Sequence, residues 1–241
     1  MRLQRPAWYV DGLALLLGVA LPVQGQSTFQ NLGFESASLI PIPADPYGRV
    51  QFAPAFIGWT GYVGSVQQSA ALYNNEFLDT SGISIIDHGW SAPFGAPGGV
   101  IQGNYTALLQ AGVGGNSIMS QTGQVPADAQ SLQFEAYQDF GPNGRFAVTL
   151  GGQTLSLIPV QSGANYTLWG ADVHVWAGQA AELDFTVFAD QPHVVNEYLY
   201  LDAIAFSNSP LPTPEPSIFG LSALGALFLG WRVLGRHRGA A

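Results

Sequence analysis

The run RFAVTLGGQTLSLI, residues 145–158, decides the fold class. Phe146, Val148 and Leu150 alternate with Ala147 and Thr149, and Leu155 and Leu157 resume the alternation after Gly151-Gly152. A period of two is the signature of a half-buried strand, and a Gly-Gly pair supplies the positive φ angles that a two-residue hairpin turn requires. The spacing predicts a β-hairpin over 145–158. Working outward, Ser131–Tyr137 puts Leu132, Phe134 and Ala136 on one face and Gln133, Glu135 and Tyr137 on the other. Asn165–Trp169, Asp172–Trp176, Glu182–Phe188 and Glu197–Phe206 are predicted strands as well, as are Tyr105–Gln110 and Ser117–Gln124.

Upstream the chain is looser. Pro41, Pro43, Pro46, Pro54, Pro93 and Pro97, with Gly89, Gly95, Gly98 and Gly99, predict long loops around short strands from 38 to 99. Ala70–Phe77 reads as a helical turn. Eight to ten strands with one early excursion and no convincing helical stripe predict an all-β fold, an antiparallel β-sandwich of jelly-roll type over residues 26–210.

Both ends of the sequence differ from this body. Residues 1–25 carry Arg2 and Arg5, an apolar run from Leu13 to Val23, and small residues before Gln26, the layout of a secretory signal peptide. At the other end, Pro212, Pro214 and Pro216 keep the chain extended. Ile218–Trp231 then holds no charge, and Arg232, Arg236 and Arg238 close the sequence as a basic cluster. Cations at the end of an apolar helix hold that end on the cytoplasmic side. Fourteen apolar residues are short for a span, but 217–234 with Arg232 snorkelling gives roughly 27 Å of helix, enough for a thin bilayer. A buried terminal helix is the alternative reading.

Pro214-Glu215-Pro216, the short apolar helix and the arginine-rich end together resemble the PEP-CTERM sorting signal, a tail also found at the C-terminus of some ice-binding proteins. The resemblance covers residues 211–241. It implies export, transient anchoring in the membrane through the helix, and processing by an exosortase-type transpeptidase that passes the protein to the cell surface or extracellular matrix.

The composition sets further bounds. Of 241 residues none is cysteine, which excludes disulfides, thiol catalysis, a lipoprotein anchor and Cys-based zinc sites. The chain has no lysine, and between Gln26 and Pro210 only Arg49 and Arg145 face fourteen acidic residues. Such a surface repels phosphates, so nucleic acid is excluded as a partner.

Within the body, Phe29–Glu35 (FQNLGFE), Gly58-Trp59-Thr60, Gly103-Asn104-Tyr105 with Leu108-Leu109, Ile118–Pro126 and Tyr198–Phe206 are similar, in this order, to galactose-binding-like jelly rolls, a group that includes carbohydrate-binding modules. The resemblance implies that Glu35 and Asp202 help to hold a structural calcium tying the first strand to the last. Ala203 stands where the group often has a second acidic or amide residue. Calcium seeks six to eight oxygens, so two acids merely solvated or hydrogen-bonded to backbone is the competing reading.

Aromatic rings could pack against pyranose faces. Trp90, in the Asp87-His88-Gly89-Trp90 loop, is the first candidate, followed by Tyr62 and Tyr73; for each, a core role is the alternative. Trp59 reads as core. Enzyme readings have little support: His88, His174 and His193 lack metal-pair spacing, and there is no Gly-x-Ser-x-Gly elbow or phosphate loop. Glu135 with Asp139, and Glu182 with Asp184, could mimic a glycosidase pair, but outward charges on solvated strands are ordinary. The sequons at Asn104 and Asn165 read as coincidental. The sequence thus points to an exported, surface-sorted, non-catalytic protein, a carbohydrate-binding or matrix module for exopolysaccharide. The alternative is a structural or adhesive envelope protein without a ligand, with a polysaccharide hydrolase a distant third.

Overall fold

A computed structural model describes residues 28–92, 98–141, 144–189 and 196–212. The expected signal peptide (1–25), the Pro214-Glu215-Pro216 motif, the apolar helix (217–234), Arg232, Arg236, Arg238 and His193 lie outside the described residues. Among the described residues, no helix is long and apolar enough to cross a membrane.

The body is a sandwich of two sheets. Its strands are β1 (Val50–Gln51), β2 (Thr60–Val63), β3 (Val66–Gln67), β4 (Ala70–Tyr73), β5 (Gly82–Ile86), β6 (Thr106–Ala111) and β7 (Ser117–Gln124), followed by β8 (Ser131–Asp139), β9 (Arg145–Leu150), β10 (Gln153–Thr154), β11 (Ile158–Ser162), β12 (Thr167–Asp172), β13 (Ala180–Phe188) and β14 (Glu197–Ser207). An eight-stranded sheet has the order β1-β4-β5-β6-β14-β8-β12-β11, and a six-stranded sheet β10-β9-β13-β7-β2-β3. From β6 onward the chain repeatedly changes sheet, so both inner faces receive residues from the whole sequence.

The core lies between the sheets. Phe34, Phe56, Phe134, Phe185, Met119, Leu132 and Leu150 are fully buried there. Phe134 meets Phe185 edge-on at 5.1 Å, Phe185 lies 6.2 Å from Trp59, and Trp59 lies 5.9 Å from Phe34. Each such side chain stabilises the fold by roughly 1.5–3 kcal/mol through burial. Trp59 takes the expected core position, and its indole N–H donates to the Asn31 carbonyl. A smaller cluster, Ile86, Leu108 and Tyr200, is covered by Trp90, Ile101, Tyr137 and Tyr198. This second cover explains why β5 and β6 are buried at every position and show no alternation.

The hairpin turn is as predicted: Gly151 and Gly152 have φ of +57° and +75°, and Leu150 pairs with Gln153. Its second arm is shorter than expected. After Thr154 the chain crosses the sandwich, Leu155 stays buried, and from Ile158 it pairs with β12 in the other sheet. Three further expectations need correction. Ala70–Tyr73 is a strand, not a helical turn; the helical turn is α1 (Phe52–Ala55). The sandwich is not wholly antiparallel, since β4 and β5 run parallel. The return between them is held by buried Gln110, whose side chain bonds the backbone of Phe77 and Thr80. Finally, the strand at Asp172–Trp176 stops at Asp172, and His174–Trp176 is a 3-10 turn. The Asp172 carboxylate accepts the His174 backbone N–H at 3.0 Å, a local bond that competes with the ladder.

The two ends of the described body adjoin. Thr28 forms a bridge with Gln124, Phe29 packs on Phe206 with centroids 5.0 Å apart, and the Ile204 N–H bonds the Leu32 carbonyl.

Candidate functional site

Three strand ends meet at one depression of about 500 Å³: the end of β4 (Tyr73, Asn74), the turn after β5 (Asp87, His88, Gly89) and the approach to β6 (Asn104, Tyr105). Asp87 organises it. Its carboxylate accepts the Tyr73 hydroxyl at 2.6 Å, Asn74 Nδ2 at 2.5 Å and the Gly89 N–H at 2.7 Å, while its own N–H donates to Asn74 Oδ1 at 2.9 Å. Burial pushes the Asp87 carboxyl up, but the three donors outweigh it and hold the group below the ordinary range. The same bond to Asp87, with burial, pushes the Tyr73 phenol up to about 12. Asn74 sits at φ +44°, a conformation asparagine tolerates. A Cβ at Gly89 would come within 3.1 Å of both Asn74 Nδ2 and Asp87 Oδ1, a tight approach that would press on this hydrogen-bonded pair.

The opposite wall is held from behind. His88 Nε2 and the Gly103 carbonyl are 3.0 Å apart. Glu35 accepts the Asn104 N–H at 2.8 Å, Asn104 Nδ2 at 2.8 Å and the Tyr105 N–H at 3.0 Å. Burial raises the Glu35 carboxyl, yet the bonds from Asn104 and Tyr105 leave it lowered overall. Gly103 has φ +63°, and a Cβ there would run into the Glu35 carboxylate. Asp202 holds the flank of the same loop, accepting the Thr106 hydroxyl at 2.6 Å, the Gln102 N–H at 3.1 Å and the Ala203 N–H at 2.7 Å. Burial pushes its carboxyl up to about 6 against these bonds. Ala203 adopts φ +48° to make the last of them.

Glu35 and Asp202 therefore grip one loop, residues 102–106, from two sides. Their neighbours here are N–H and O–H donors, whereas calcium needs six to eight oxygens. Among the described residues no group of three or more His, Cys, Asp or Glu gathers at one point. Hydrogen bonds accepted by Glu35 and Asp202 tie the first segment to the last through this loop.

Of the ring candidates, Tyr73 lines the depression. Trp90 packs on the Ile86, Leu108 and Tyr200 cluster, and its backbone N–H bonds the Asp87 carbonyl, so it buttresses the turn. Tyr62 lies on the other sheet, in a separate depression with Glu182 and Asp184. Glu135 and Asp139 are on β8, and His174 pairs with exposed Asp172. None of these lines the loop-end depression. Sequence reasoning missed Asn74 as a site residue, took Asn104 as a chance sequon and took Tyr105 as the first residue of a strand. Short amides beside a strand end were the available signal.

The depression combines two ring walls with amide, carboxylate and imidazole groups, an arrangement suited to holding a polar molecule with an apolar face. No family model matches the sequence, and no curated protein matches it. Among solved structures, the carbohydrate-binding module TmCBM61 in complex with β-1,4-galactotriose is similar at 12% identity, over 75% of this chain and 99% of that one, with a TM-score of 0.39.

Proposed function

We propose that this protein is a non-catalytic glycan-binding module whose loop-end depression receives a neutral sugar. The supporting observation is the convergence of the Tyr73 and Tyr105 rings with Asn74, Asp87, His88 and Asn104 around about 500 Å³, fixed in advance by bonds to Asp87 and Glu35. Pre-fixed polar groups lower the ordering cost of binding. A pyranose face would pack on a ring while its hydroxyls meet the amides and the carboxylate. The tail and the leader give this reading its location. The protein is exported by residues 1–25, held briefly by the helix at 217–234, processed at Pro214-Glu215-Pro216 by an exosortase-type transpeptidase, and delivered to the cell surface or its exopolysaccharide.

Affinity electrophoresis of the full-length chain in mild detergent through gels of neutral polysaccharides tests this reading. Retardation that Asn104→Ala and Asn74→Ala abolish supports it. Equal mobility in every gel, with the fold intact, removes the ligand and leaves the structural or adhesive alternative. For the tail, a change of Glu215 to Ala should leave the unprocessed form in the membrane fraction; normal processing would overturn that part.

A further inference from the structure

The six-stranded sheet carries a second depression that the loop-end reading does not use. Strand register sets its floor: Thr149, Asp184, Ser120 and Thr60 stand side by side in one row, and Ala147, Thr186, Ile118 and Tyr62 in the next. These positions alternate with Val148, Leu183, Phe185 and Met119, which fill the core, so the two rows face outward. Short side chains occupy the middle and the Tyr62 ring stands on β2 at the side, leaving a trough of about 420 Å³.

Its chemistry is one-sided. Glu182 accepts the Ser120 hydroxyl at 2.6 Å and Asp184 the Thr149 hydroxyl at 2.8 Å, which occupies one oxygen of each carboxylate. An ionised carboxylate accepts up to about four bonds, so both retain acceptor capacity. Among the described residues, no Lys, Arg or His lines the trough. A uronate or sulfated sugar would meet like charge here. A sugar bearing only hydroxyls would leave two neighbouring negative charges unneutralised. An ammonium group on a sugar ring supplies both a counter-charge and three donors.

We propose that this trough is a second binding site, for a polysaccharide run of amino sugars with free amines, one ring lying on Tyr62 and the ammonium groups meeting Glu182 and Asp184. The site is independent of the loop-end depression and stands on different residues.

The test is titration of the full-length chain, in mild detergent and at a pH where the amines are protonated, with three probes: a glucosamine oligomer, its N-acetylated counterpart and an oligogalacturonate. The glucosamine oligomer should bind, weaken steeply with added salt, and lose about tenfold or more in affinity with the double change Glu182→Gln, Asp184→Asn. Tyr62→Ala should weaken it as well, and Asn104→Ala should not. Equal binding of the N-acetylated oligomer or of the oligogalacturonate, absence of salt dependence, or unchanged affinity in the double variant would overturn the proposal. The salt titration uses the natural chain, so the proposal can still fail where a variant folds poorly. Loss of neutral-sugar binding in Asn74→Ala concerns only the loop-end reading, which keeps the two failures apart.

Discussion

The loop-end depression and the sheet-face trough are built in opposite ways. The first gathers residues from four separate segments, 35, 73–74, 87–89 and 103–105, and holds them by side-chain bonds across sequence separations of up to seventy residues. The second is written mainly by strand register, with the Gly64-Ser65 turn at its side, because β9, β13, β7 and β2 set their outward residues in rows whatever those residues are. A network of mutually bonded polar groups fails as a unit when one member is lost, whereas a register-built surface can lose one side chain and keep its shape. The two depressions should therefore respond differently to substitution.

The largest contrast comes from Asp202→Ala. It strands the Thr106 hydroxyl and the N–H groups of Gln102 and Ala203 in a buried place, which costs about 3 kcal/mol in chemical denaturation. The loop-end depression should lose its ligand with it, while binding at the trough persists in the folded fraction. A variant that weakens both depressions equally would show that the two are not separate. Next in size is Asp87→Ala, which releases Tyr73, Asn74 and the Gly89 N–H at once. Loop-end affinity should fall by about 2 kcal/mol, roughly thirtyfold, with little change in the denaturation midpoint.

Acidity sharpens the same contrast. The Asp202 carboxyl titrates at about 6 in the fold, above its ordinary 3.8. A raised folded value means that the folded state holds the proton more tightly, so this contribution is complete below 3.8 and is lost as pH rises through about 6. Moving from pH 7 to pH 5 should raise stability by about 1 kcal/mol, and Asp202→Asn should abolish that rise. Below that window the sign reverses: Glu35 and Asp87, both held lower than usual by their donors, give up stability as they protonate. The smallest expected effect is that of calcium. Adding calcium or a chelator should leave the melting temperature unchanged; a rise with calcium would restore Glu35 and Asp202 as metal ligands.

The same division explains what could be read in advance. The Gly151-Gly152 turn, the whole of β7 and the alternation of β8 follow from nearest-neighbour pattern, and they stand where the sequence puts them. Asp172 defeated the pattern because one carboxylate bond to the next turn outweighs an apparent alternation of Val173 and Val175. The parallel β4–β5 pair was hidden because the buried Gln110 that holds the return is far from it in sequence. At the site, the sequence nominates Tyr73 as a ring candidate, and it marks Asp87 and His88 only as neighbours of Trp90. Their partners Asn74 and Asn104 could not be nominated, since an amide shows its role only once its acceptor has arrived from another strand. The sequence resemblance pairs Glu35 with Asp202, and both do reach one loop, but most of the donors around them are backbone N–H groups, which leave no trace in residue type.

The Phe29–Phe206 contact also has a mechanical meaning. A pull on the chain at Thr28 would load this contact and the Thr28–Gln124 bridge first, so the last strand of the larger sheet helps to hold the first described residues in place.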